Sequence, residues 1–142
     1  LTKTEQVKAL LQGIQQDRQR YIELLALLDQ QRDVMISRKA EELSGINQLL
    51  EAYYQNLERS ATERNTLLKA LEISPDTQGM TNLFAKLPVT HQKKAHALWA
   101  DLEHYANACS SLNERNGLLL NMQIEILQPL LQDPEPSFLY TR

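Results

Sequence analysis

Catalysis or metal binding needs titratable and nucleophilic groups held close together, and in this chain such groups are few and scattered. His91 and His96 are five residues apart, a spacing that turns them to different faces of a helix. Asp101 and His104 are three apart, the spacing at which one helix can present a carboxylate and an imidazole to the same metal ion. A di-iron helical bundle uses two Glu-x-x-His elements and two further Glu residues, and this chain supplies one imperfect element. The pair therefore reads as a surface ion pair, and neither a metal nor another cofactor is expected. Cys109 is the only cysteine, which excludes a disulfide within the chain and a cysteine-based zinc site. It falls on an apolar helical stripe, where a free thiol packs as a small hydrophobe. Gly13, Gly45, Gly79 and Gly117 are too dispersed to form a phosphate loop, and none precedes a Lys-Ser or Lys-Thr pair. No catalytic residue is assigned, and the expected function is not enzymatic.

Charge narrows the partners. The 142 residues carry 15 basic and 18 acidic side chains, a formal net charge of −3, and the pI of 5.6 lacks the basic footprint that nucleic-acid binding requires. Lys86, Lys93 and Lys94, with His91 and His96 nearby, form a local basic patch that reads as a solvated face. The longest apolar run, residues 24–28, is far shorter than the roughly 20 residues that span a bilayer, so no membrane insertion is expected. Residues 1–7 are charged and lack the apolar stretch and cleavage site of a secretory signal. Together with the cysteine usage, this predicts a cytoplasmic protein.

The elements that must position any binding residues are helices. Leucine occurs 26 times against ten Val and Ile, which favours helix over strand, and four Gly and five Pro are too few for the corners of a sandwich or barrel. Val7, Ile14, Tyr21, Leu28 and Met35 recur at heptad spacing, and Leu43, Leu50, Leu57 and Leu71 form a second series one residue out of phase. The slip predicts a tight reversal at residues 37–40, with Ser37 placed to cap the second helix and Glu41 and Glu42 at its positive end. An antiparallel hairpin of helices over about 3–36 and 40–73 follows. Ser74 to Gly79 reads as a linker, and 80–87 as a short helix plugging one end of the hairpin. A third long helix over 89–132 should pack against the pair, carrying Leu98, Leu102, Tyr105, Cys109, Leu112, Leu119, Ile126 and Leu130 on one face. The predicted fold is thus all-α, a coiled-coil-like bundle with one domain over 1–132, and Pro134 and Pro136 leave 133–142 as a flexible, extended tail.

Asn116 and Gln123 interrupt the apolar stripe of that third helix. They either fix register or mark a face meant for something other than a dry core. Gly117 within a helix suggests a close backbone approach, because it costs about 1 kcal/mol relative to Ala. Leu119, Leu120, Ile124, Leu127, Leu130 and Leu131 spread over more of the helix than one core stripe needs, which predicts a second, binding surface. Phe138, Leu139 and Tyr140 form an aromatic and apolar cluster in a polar tail, suited to folding back or to a partner's groove.

The segment Leu112-Asn113-Glu114-Arg115-Asn116-Gly117-Leu118-Leu119-Leu120 resembles the FlgN family of flagellar export chaperones, whose last long helix carries a Leu-Asn-x-x-Asn-Gly-x-Leu-Leu pattern. The motif residues are Leu112, Asn113, Asn116, Gly117, Leu119 and Leu120. Gln30-Gln31-Arg32, Leu67-Leu68-Lys69-Ala70-Leu71 and Ala97-Leu98-Trp99 extend a looser likeness over most of the chain. Leu139-Tyr140 resembles the start of the family's tail motif, although the glycine that follows there is absent here. The resemblance implies a cytoplasmic, non-catalytic chaperone that binds hook-filament junction proteins, prevents their premature assembly and brings them to the flagellar type III export apparatus. It also implies that the tail, through Leu139 and Tyr140 with Phe138 added by proximity, contacts the cytoplasmic domain of the export gate. The competing class is a structural coiled coil or generic helical scaffold, but a rod would continue its stripe where this chain breaks it at Pro75, Gly79 and Pro88.

Overall fold

A computed structural model describes residues 2–132, with side chains placed over residues 2–123. Four helices follow in order, α1 (Lys3–Ser37), α2 (Ala40–Ala70), α3 (Thr77–Ala85) and α4 (Val89–Gln132), and no strand occurs among the described residues. The fold is all-α, as the leucine-rich composition and heptad spacing require. Among the described residues no helix is long and apolar enough to cross a membrane.

Local chemistry sets each boundary. Thr2 caps α1: its hydroxyl oxygen accepts from the Glu5 N–H at 3.1 Å, and its O–H donates to the Glu5 carboxylate at 3.2 Å. The reversal at 37–40 is present, and it is built without glycine. Arg38 takes a left-handed conformation with φ 57°, while its N–H donates to the Met35 carbonyl and that of Lys39 to the Val34 carbonyl, closing the helix as a Schellman turn. Ser37 does not cap α2. It is the last residue of α1 and its hydroxyl donates back to the Asp33 carbonyl, while Lys39 occupies the α2 N-cap without a side-chain bond. The second helix ends at Ala70, before the expected residue 73, because Glu72 turns left-handed at φ 59° and Ile73 N–H donates to the Leu68 carbonyl.

The stretch read as a linker supplies the start of α3. Asp76 is its N-cap, accepting from the Gly79 N–H at 2.7 Å, and helix begins at Thr77 where residue 80 was expected. Gly79 is the glycine that close approach demands, since any Cβ there would collide with the Ser74 carbonyl. Gly117 is not: it is exposed and a Cβ would meet nothing, so the close backbone approach expected there does not occur.

α1 packs along both α2 and α4, and it is the central element of the bundle. α2 runs antiparallel to it, and α4 parallel. Two apolar clusters result. At the start of α1, Leu10 and Ile14 meet Leu68 of α2, Met80, Leu83 and Phe84 of α3, and Ala95 and Leu102 of α4; the short helix thus closes the open end of the hairpin. Toward the reversal, Leu24, Leu27 and Leu28 meet Leu50, Leu57 and Cys109. Of the expected seam residues, Leu50 and Leu57 are buried and Leu43 is half-buried.

Candidate functional site

The polar residues on the α4 stripe fix its register against α1. Cys109 S–H donates to the Tyr21 carbonyl at 3.2 Å, the Asn116 amide to the Leu28 carbonyl at 2.7 Å, and the Gln123 amide to the Met35 carbonyl at 2.8 Å. Donors and acceptors both advance by seven residues, two helical turns, so three rungs join parallel helices. Each carbonyl has a second lone pair beyond its helical bond. Asn116, 3% exposed, also donates to Gln31 Oε1 at 2.8 Å and accepts from Arg115 Nε at 3.2 Å. Sliding α4 by one residue would break these bonds and orphan the buried Asn116 amide, so of the two roles open to Asn116 and Gln123 the geometry selects register.

This offset places Ser37, where α1 ends, opposite residue 125. α4 continues to Gln132, and at 1.5 Å per residue its backbone passes the end of α1 by roughly 10 Å. The late part of α4 is therefore the segment where the bundle's own packing runs out.

The family-motif residues divide by face. Asn116 is buried, Leu112 and Leu119 are half-buried, and Asn113, Gly117 and Leu120 are exposed. Asn113 Oδ1 accepts from the Tyr54 hydroxyl of α2 at 3.3 Å. Leu118 and Met122, which the periodicity did not single out, are 65% and 57% exposed, and Leu120 is 44% exposed. Ile36 and Leu49 are also exposed. By the α1–α4 offset, and by the antiparallel pairing of Gln31 with Asn47, these five side chains all sit at the hairpin end. An open apolar groove between Val34, Gly45, Ile46 and Leu49 lies at the same end. Ile124, Leu127, Leu130 and Leu131 belong to the α4 backbone, but their side chains lie outside the described residues, as do Phe138, Leu139 and Tyr140 entirely.

Among the described residues no three His, Cys, Asp or Glu side chains converge as metal ligands. Asp101 is paired across the bundle with Arg18 at 2.9 Å, and His104 packs edge-on against Tyr105, so the expected ion pair between them is replaced by one between helices. His96 stacks edge-on against Phe84. Burial pushes the Cys109 thiol up to about 11, leaving it protonated and unreactive at neutral pH.

The charged centre that sequence reading missed is Asp17, which is 1% exposed on α1. Its Oδ1 accepts from Arg20 at 2.8 Å, and its Oδ2 from Arg64 and Ser60, both at 2.8 Å. The partners lie 3, 47 and 43 residues away. Only the Arg20 spacing is visible on the helix itself, and that alone looks like an ordinary surface pair.

A model of the family described as FlgN protein matches residues 6–133. No curated protein and no solved structure matches the chain.

Proposed function

The chain belongs to the FlgN family, a family of flagellar export chaperones, and from that membership we propose that it binds hook-filament junction proteins at the hairpin end of the bundle. The observation that carries this reading is the exposure of Ile36, Leu49, Leu118, Leu120 and Met122 at the hairpin end of the bundle, just before α4 outruns α1. Junction proteins exported unfolded would expose amphipathic terminal segments, and such a segment buries its apolar face in a helical groove. In this reading Leu119, Leu120, Ile124, Leu127, Leu130 and Leu131 supply the contact, which prevents premature assembly in the cytoplasm. Leu119 is half-buried. By helical spacing Leu120, Ile124, Leu127 and Leu131 fall on one stripe of α4 and form the centre of the contact.

Delivery to the export gate's cytoplasmic domain is proposed for the tail, with Tyr140 as the aromatic anchor beside Phe138 and Leu139. The function needs no cofactor and no catalytic residue.

The test is calorimetric titration of a junction protein's terminal segment into protein carrying Leu120→Ser, Ile124→Ser and Leu127→Ser together. Affinity should fall by at least about tenfold, which is about 1.4 kcal/mol, with helicity and melting temperature little changed. Unchanged affinity would place the surface elsewhere, and collapse of the fold would make these side chains core. For the tail, Tyr140→Ala should weaken binding to the gate domain while leaving junction-protein binding intact. Normal gate binding with lost stability would make Tyr140 a structural plug.

A further inference from the structure

At the other end of the bundle, roughly 40 Å from the reversal along α1, a groove of about 320 Å³ runs between the starts of α1 and α4. Its walls are mainly apolar, with Leu11 and Leu98 half-buried and Ala95 buried. Its rim carries two lysines, with His91, Gln12 and Gln15 beside them. Lys8 stands on the α1 side and His91 and Lys94 on the α4 side, and all three are exposed. The ion pairs among the described residues join Arg18 to Asp101, Arg20 and Arg64 to Asp17, and Arg115 to Asp29, so among those residues no carboxylate is ion-paired with Lys8 or Lys94. Lys3 and Lys86 flank the adjacent hollow, and Lys93 follows on α4. With Lys69 near the end of α2, six of the chain's seven lysines thus lie at one end of a molecule whose net charge is −3, alongside Glu5, Glu72 and Asp76. The corner that sets the groove is braced, because the Gln92 amide donates to the Ala85 and Leu87 carbonyls at 3.1 and 2.8 Å.

We infer that this groove, walled by Leu11, Ala95 and Leu98 and rimmed by Lys8, Lys94 and His91, docks an acidic amphipathic segment of a protein partner. Charge complementarity selects the occupant. Apolar side chains on one face of the segment fill the groove, and carboxylates on either side of that face meet cations on both walls. A concave site between two helices suits a segment better than a lipid surface, which calls for protruding apolar side chains, and Val89 alone protrudes here. The site is independent of the hairpin-end surface, so the two can be occupied together.

The test uses a synthetic helical peptide with leucines on one face flanked by glutamates, a control with every glutamate replaced by lysine, and vesicles of phosphatidylcholine and phosphatidylserine in equal parts. Calorimetry on the full chain should show binding of the glutamate peptide that weakens as salt is added. Lys8→Glu with Lys94→Glu should weaken it by about tenfold without changing helicity or melting. The Leu120, Ile124 and Leu127 serine variant should bind it normally, which separates this site from the hairpin end. The inference is overturned if neither peptide binds, if the lysine peptide binds equally well, if charge reversal has no effect, or if the protein instead partitions onto the vesicles through Lys8 and Lys94.

Discussion

Asp17 shows how a residue can be decisive for the fold and silent in the sequence. Its carboxylate is removed from water and held by two guanidinium groups and a hydroxyl, so truncating it leaves Arg64 facing a site built for a negative charge. Asp17→Ala should destabilise by about 3–5 kcal/mol in chemical denaturation, and Asp17→Ala with Arg64→Ala should cost less than the sum of the two single changes. Asn116 was more legible, because a lone amide on a heptad stripe has to answer for its burial. The sequence could not say which helix would answer, since the Leu28 carbonyl lies 88 residues away. Cys109 belongs to the same ladder and reports on it. Alkylation of the folded protein at neutral pH should be far slower than of the denatured chain. On the alkaline side the unfolded thiol ionises near its ordinary value of 9.0 while the folded one stays protonated to about 11. Burial therefore favours folding fully below pH 9, and that contribution is lost as pH rises toward 11. Cys109→Ala should flatten this part of the alkaline decline in melting temperature.

Among the elements, the hairpin was legible because a one-residue phase slip cannot be accommodated in a single straight stripe. Its boundaries were less so. Both ends that close on α1 and α2 use non-glycine residues in the left-handed region, Arg38 and Glu72, which no turn propensity announces. Arg38→Gly should remove that strain and stabilise the protein by about 1 kcal/mol, visible as a raised denaturation midpoint. Leu50, 5% exposed between α1 and α2, should lose about 2–5 kcal/mol on change to Ala. A loss below about 0.5 kcal/mol would contradict its place in the core. The start of α3 was read late because Pro75 and Gly79 look like linker residues, whereas Asp76 makes them the entry to a helix. The Gly79 N–H, and after it the Ser74 hydroxyl, hold the Asp76 carboxyl below the usual carboxylate range. That interaction favours folding at neutral pH and is lost as pH falls through the lowered value. Asp76→Asn, which keeps a capping side chain, should weaken the acid-side dependence of melting measured as pH falls below the ordinary value of 3.8.

For the whole molecule, the two ends differ in kind. One carries lysines around a small groove, and the other carries exposed apolar side chains beside the reversal, just before α4 outlasts its partner. The excess apolar width of late α4 was visible in the spacing of its leucines. The exposure of Leu118 and Met122 was not, because it depends on the α1–α4 register set by Asn116 and Gln123. Hydrogen exchange of the full chain, alone and with the terminal segment of a junction protein, distinguishes the ends directly. Binding should slow exchange in α4 from about residue 112 onward and around the reversal from Gln31 to Leu50, and leave the starts of α1 and α4 unchanged. Protection confined to the starts of α1 and α4, or no protection in α4 beyond Leu112, would contradict binding at the hairpin end.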